Sequence, residues 1–319
     1  MRVAIIVASN DSAIDPRPSL SRFADEVAGR GEVILVDASR DGCILDPLES
    51  GRNVRILRRT PGMLAPELWR DGFRATDAEI VGFSTTAMIP EPRWLDAMLD
   101  RLQTTDAAGV GGPIMPAAKL SPTDRAIYLL RYVNYYKPSL SDAEPPGDNA
   151  VYRRERLEKH RELIDRGFWE IDIHRALRLQ GDHLAMAENA SVIYQGGSRL
   201  LVSLRQRLRH AAIYGASRGS AMTTIERALR TALSPMVPAL IFHRMIAVMR
   251  SNFIDMMPWV PALPSLALLS TAWAIGEAVG YWMKIDPVSK IGSRGSRAEK
   301  EEHGELSRLE TRSSRMRST

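Results

Sequence analysis

Short apolar runs alternate with stretches of helical spacing through the first half of the chain, which predicts an α/β fold with a mainly parallel sheet. Val3 to Ala8 reads as the first strand, Val33 to Val36 as the second, Val54 to Leu57 as an edge-like third and Glu79 to Phe83 as the next. Between them, Ser19 to Arg30, Pro66 to Thr76 and Pro92 to Gln103 carry apolar residues at the spacing of helices packed on one side. Gly109 to Ile114 reads as a further strand with a tight turn, Asp124 to Tyr136 as an aromatic-rich helix and Pro138 to Pro146 as a loop. Order restarts at Gly147 to Arg154, helices follow to Leu179, and His183 to Tyr194 returns to the sheet before Gly196 and Gly197.

The pattern changes in the second half. Arg205 to Arg230 interleaves arginines with apolar positions, and Met256 to Met283 carries one charge, Glu277. Spanning a bilayer takes about 20 apolar residues, so the second stretch is nearly long enough. Pro258, Pro261 and Pro264 crowd its start, which equally suits a re-entrant or interfacial helix. From Lys290 to Thr319 almost nothing is apolar, the composition of a disordered tail.

With 319 residues, 45% of them hydrophobic, the chain can bury a full core and add an appendage. Its one cysteine, Cys43, excludes a disulfide framework or a cysteine-based zinc site and suits a reducing compartment, where it acts as an apolar filler. The opening Met1 to Ala8 is too short an apolar run for a signal peptide, so the catalytic part is expected in the cytoplasm. A net charge of +5 suits nucleic acid, anionic lipid or phosphorylated substrates. No aromatic base-stacking pattern supports the first of these.

Candidate chemistry gathers at strand ends. Ser9-Asn10 follows the first strand and Asp37, with Ser39, Asp41 and Gly42 behind it, follows the second, where open α/β sheets bind ligands. These residues suit a nucleotide base or ribose, and they equally suit an ordinary turn. Ile80 to Pro90 runs from a buried strand into Ser84-Thr85-Thr86. No glycine-rich dinucleotide or P-loop signature follows any strand, and Gly111-Gly112-Pro113 reads as a turn. Glu170 and Asp172 alternate with Trp169, Ile171 and Ile173, either as carboxylates at the edge of an apolar pocket or as first-turn acids at a helix dipole. The run Arg205 to His210 suits a pyrophosphate clamp, a solvated helix face or a membrane-facing patch.

In the order of these motifs, roughly residues 1 to 220 resemble family 2 glycosyltransferases of the GT-A fold. Ser9-Asn10 corresponds to the nucleotide-contacting first loop, and Val36-Asp37-Ala38-Ser39-Arg40-Asp41-Gly42 looks like the Val-Asp-Asp-Gly-Ser-x-Asp-Gly segment, which makes Asp37 the base contact and Ser39 a neighbour of the donor. Phe83 to Trp94 resembles the strand, acidic motif and Pro-x-x-Trp-Leu, with Ser84, Thr85 and Thr86 lining the diphosphate. Gly147 to Arg154 is similar to the acceptor-side Gly-x-Asn-x-x-x-Arg-Arg loop, placing Asp148 and Asn149 there. Phe168 to Gly181 looks like the segment that supplies the base, Glu170 or, failing it, Asp172. Gln206-Arg207-Leu208-Arg209-His210 resembles the Gln-x-x-Arg-Trp motif, with His210 in place of Trp, and makes Arg205 or Arg209 a diphosphate cation.

The resemblance implies a mixed, mostly parallel sheet flanked by helices over 1–220, a membrane-associated helical region over 221–287 and a charged tail over 288–319. It further implies inverting transfer from a nucleotide-diphosphate sugar to a sugar or lipid-linked acceptor hydroxyl at the cytoplasmic membrane face. Mg²⁺ or Mn²⁺ is the family's cofactor. Thr85 and Thr86 replace the acids that hold it, and Tyr194 stands near a late metal-reaching His. Hydroxyls without carboxylates bind these ions poorly. The rival expectation is a non-catalytic GT-A domain serving as a membrane-bound binding or scaffold protein.

Overall fold

In β1 (Val3–Ser9) all seven residues are buried, the near-continuous apolar run of a parallel strand covered on both faces. In a computed structural model of the protein, residues 1–10, 13–40, 53–137, 144–220 and 222–283 are described. Asp41, Gly42, Cys43, most of the Pro138 to Pro146 loop and the charged tail lie outside them.

β1 is followed by α1 (Arg17–Glu26), β2 (Gly31–Asp37), β3 (Val54–Arg58), α2 (Ala65–Arg74), β4 (Ile80–Thr85), β5 (Met88–Pro90) and α3 (Trp94–Thr105). Next come β6 (Gly109–Gly111), β7 (Ile114–Pro116), α4 (Pro122–Arg131), β8 (Asn149–Arg153), α5 (Arg154–Glu158), α6 (Arg161–Ile164) and α7 (Glu170–Leu179). β9 (Leu184–Met186), β10 (Val192–Tyr194), α8 (Leu200–Gly219), α9 (Thr224–Leu233), α10 (Val237–Ser251) and α11 (Leu263–Gly280) complete the order.

The main sheet runs β3-β2-β1-β4-β8-β6-β9, and a small one runs β5-β10-β7. β1 to β4 pair in parallel, while β8 lies antiparallel between β4 and β6. The expected strand Gly109 to Ile114 is thus two strands in different sheets: the chain leaves the main sheet at Gly112, where an added Cβ would meet the Ala190 carbonyl at 1.9 Å.

Helix signals act where the sequence places them. Ser121 accepts a hydrogen bond from the Asp124 N–H and Pro122 fills the first turn of α4. Core residues of the C-terminal helices, Met245, Met249, Leu266 and Leu269, join the same cluster as β1 and β2 side chains.

α8 and α11 pack along paired glycines. A Cβ on Gly276 or Gly280 would lie 2.5 and 2.3 Å from the carbonyls of Leu208 and Ala212, and one on Gly215 or Gly219 would lie 2.3 and 2.7 Å from those of Glu277 and Tyr281. The two sets of partners advance together, so the helices run in the same direction with backbones nearly touching. Glu277, the lone charge of the apolar stretch, is buried at this seam. It accepts from Tyr281 Oη at 2.5 Å and Trp273 Nε1 at 3.0 Å, with Arg218 at 3.5 Å. Thr224–Ser251 and Met257–Gly280 are both long and apolar enough to cross a membrane.

Candidate active site

A cavity of about 290 Å³ opens at the carboxyl ends of β1 and β4. Asn10 and Thr85-Thr86-Ala87 form its sheet edge, Asp148 and Glu170 stand in its wall, and Arg131, Arg207, Leu269 and Trp273 close it from the helices. The C-terminal region is therefore part of the site.

Glu170 is the first residue of α7, and what fixes it lies further along the helix. One turn on, His174 is fully buried, 2.7 Å from Tyr152 Oη through Nε2 and 3.1 Å from Glu144 through Nδ1. The Phe168 N–H donates to the Pro66 carbonyl, and Gly147 lets backbone pass so close that a Cβ there would lie 3.3 Å from the Glu170 carboxyl carbon. Burial raises the carboxyl's pKa above the usual carboxylate range, and the charge of Asp148 raises it further. The local backbone hydrogen bond, Arg131 and His174 oppose both. Asp172, the other candidate base, lies on the exposed face of α7 outside the cavity, because two residues along a helix turn a side chain through about 200°.

Asp148 precedes β8, beside the end of β4, with one carboxylate oxygen paired to Arg131 at 2.8 Å and the other buried without a hydrogen-bond partner. Asn149 points the opposite way. Its Oδ1 accepts from Trp94 Nε1 at 2.7 Å and its amide donates to the carbonyls of Pro113 and Ala190, so it braces the sheet and does not face an acceptor. Ser84 is similarly withdrawn. Its hydroxyl donates to the Asp148 carbonyl at 2.9 Å and its own carbonyl accepts from Trp69 Nε1, leaving Thr85 and Thr86 to line the cavity.

Asp37 is buried at the end of β2, accepting from the Ser39 N–H at 3.0 Å and pairing with Arg58. It and Ser39 lie outside the cavity wall, as does Ser9, whose carbonyl accepts from the Ala38 N–H. Ser39 is buried and its hydroxyl has no hydrogen-bond partner. Asn10 does reach the cavity, with Gln206 Nε2 3.4 Å from its carbonyl.

On α8 the cavity-facing residues are Ser203, Gln206, Arg207 and His210, one helical stripe. Arg209 is off that stripe. It pairs with Glu67 at 3.3 Å and hydrogen-bonds the Gly62 carbonyl, and Arg205 is exposed, so of these α8 arginines it is Arg207 that lines the cavity. Its guanidinium lies 4.5 Å from the ring centre of Trp273, and its enclosed Nε has no hydrogen-bond partner. Burial, with Arg131 nearby, pushes its pKa down to about 10, which still leaves it charged at neutral pH. His210 packs edge-to-face against Trp169 and at a tilt against Trp273, and burial, then Arg131 and Arg207, push its pKa down to about 3. It is a neutral imidazole.

Among the described residues, the groups lining the cavity are a poor donor set for a divalent cation. Among the described residues no three acidic, His or Cys side chains converge. The cavity's carboxylates among the described residues are Asp148, held through one oxygen by Arg131, and Glu170, and hydroxyls occupy the end of β4. Tyr194, near the expected late His, lies 3.4 Å from Asp124 through its hydroxyl.

No protein-family model matches the chain, and no curated protein matches it. Solved structures do. The mannosyltransferase PcManGT from Pyrobaculum calidifontis, in complex with GDP-Man and Mn²⁺, aligns over 88% of this chain and 87% of its own, at 17% identity and a TM-score of 0.51. S. aureus TarS 1–349 aligns over 87% of this chain and 90% of its own at 12% identity, with a TM-score of 0.45, too distant to carry weight. The chain has the GT-A-like fold of glycosyltransferases.

Proposed function

We propose that the protein transfers a sugar from a nucleotide-diphosphate donor to an acceptor hydroxyl. The observation that carries this is Glu170, held at the start of α7 inside a cavity at the strand ends, with a raised pKa. Its carboxylate takes the acceptor's proton while the acceptor oxygen bonds the anomeric carbon. The bond to the diphosphate breaks on the opposite face, the nucleoside diphosphate leaves with the electron pair, and the configuration inverts. Asn10, Thr85 and Thr86 line the donor side, and Asp37 and Ser39, at the end of β2 next to β1, are assigned to the base. Titration calorimetry with UDP- and GDP-sugars on the full chain tests this reading. One donor class should bind at a single site, and no binding to any donor would favour a scaffold.

The acceptor works at the cytoplasmic membrane face in this reading. Ile225, Leu229 and Leu233, spaced four apart on α9, are exposed, as are Leu240, Met257, Leu268, Ile275 and Val279 on the elements that follow. Between positions 199 and 254 arginines are frequent and Glu226 is the one acid. An apolar face bordered by arginine suits an anionic bilayer surface. The protein should float with vesicles containing anionic lipid. Ile225→Glu with Leu229→Glu should lower the bound fraction at least several-fold, since each exchange trades about 1.5–3 kcal/mol of burial for a charge. Equal flotation of the variant would exclude α9 as the contact.

A further inference from the structure

We propose that Arg207 carries the positive charge that neutralises the leaving nucleoside diphosphate, so that donor binding and transfer proceed without a divalent cation. This rests on the glycosyltransferase reading. Among the described residues two guanidiniums line the cavity, and they differ in what they already hold. Arg131 is paired with Asp148, whereas Arg207 has no carboxylate in ion-pair reach among the described residues. Trp273 lies against it at 4.5 Å, which supports a cation but supplies no hydrogen-bond acceptor. Burying a guanidinium without a counter-charge is costly, and an anion entering the cavity offsets that cost.

The location selects the anion. One residue before Arg207, Gln206 reaches the Asn10 carbonyl at the end of β1, and Thr85 and Thr86 line the same cavity at the end of β4. Donor hydroxyls and a fork of guanidinium N–H groups at the strand ends suit a diphosphate, to which arginine donates in pairs. The acid-poor end of β4 and the unpaired Arg207 are then one substitution: positive charge comes from the helix side in place of a metal. A phosphate on the acceptor has the same chemistry, and the test separates the two.

Calorimetry of UDP and GDP on the full chain, in EDTA and then in Mn²⁺, provides that test, with UMP and GMP as controls. One diphosphate should bind in EDTA, with little gain from Mn²⁺. Arg207→Leu should weaken it about 10- to 100-fold, the range of a lost hydrogen bond to a charged group, and Arg207→Lys should recover part of the loss. Monophosphate binding should move little. Thermal unfolding of Arg207→Leu should match or exceed that of the parent, since a half-buried cation without a carboxylate partner is removed. Diphosphate binding that requires Mn²⁺ overturns the proposal and leaves the transferase reading standing. Diphosphate binding undiminished in Arg207→Leu, with transfer still impaired, assigns the arginine to an acceptor phosphate and also overturns it. No binding of any nucleotide overturns both readings.

Discussion

Glu170→Gln should abolish measurable sugar transfer, a loss of about 10²–10⁴-fold for a missing general base, while donor binding persists. The substitution keeps the side chain's size at the start of α7 and removes its ability to take a proton. Asp172→Asn, two residues along on the exposed face, should leave the rate nearly unchanged. The pH profile supplies an independent check. Burial raises the pKa of Glu170, so the parent's rate should climb with pH through a value above the ordinary carboxylate range and then level off. The linked effect on stability has the opposite sign. A carboxyl whose folded pKa is raised contributes stability that is fully present below its unfolded pKa and lost as pH rises through the folded one. Glu170→Gln should remove that loss and leave the protein no less stable than its parent near neutral pH. Full transfer in the variant would exclude Glu170 as the base.

The strands, their parallel order and the acid at the start of α7 were legible because each has a local cause: apolar runs for β1 to β4, and a first-turn carboxylate beside an aromatic loop. What sequence could not supply was phase. The loop motif assigns Asp148 and Asn149 one side, yet consecutive residues at a strand's start face opposite ways, so one enters the cavity and the other braces three backbone and ring partners. Ser84 and Thr85 divide in the same manner. On α8 the motif pointed to Arg209, and the helix turns Arg207 inward, a choice decided by packing against α11 that no residue of α8 announces alone. The apolar C-terminal stretch carries a pattern of membrane affinity, and that pattern does not mark Leu269 and Trp273 as cavity residues. A signal for their placement was present: Gly215 and Gly219, and Gly276 and Gly280, are both pairs spaced by four, the pattern that lets two helices approach backbone to backbone.

Gly280→Leu or Gly276→Leu should therefore have the second large effect, on stability and activity together. At either position even a Cβ meets a carbonyl oxygen of α8, at 2.3 Å for Gly280 and 2.5 Å for Gly276, and main chain cannot yield as a flexible side chain does. Overpacking of this kind costs about 1–3 kcal/mol when the surroundings can shift, and more where backbone blocks backbone. The helices must separate by roughly the width of the added group, and α11 carries Leu269 and Trp273 away from the cavity as it moves. Trp273 is also the ring beneath Arg207 and the partner of His210, so the helix-side charge loses its seat in the same step. Hydrogen exchange should report the change selectively, with protection falling in α8 and α11 while β1, β2 and β4 stay protected. Gly280→Ala, which adds only the Cβ, should lie between parent and Gly280→Leu in both unfolding temperature and transfer rate. If Gly280→Leu matched the parent in both, the close α8–α11 approach would not be what positions Arg207.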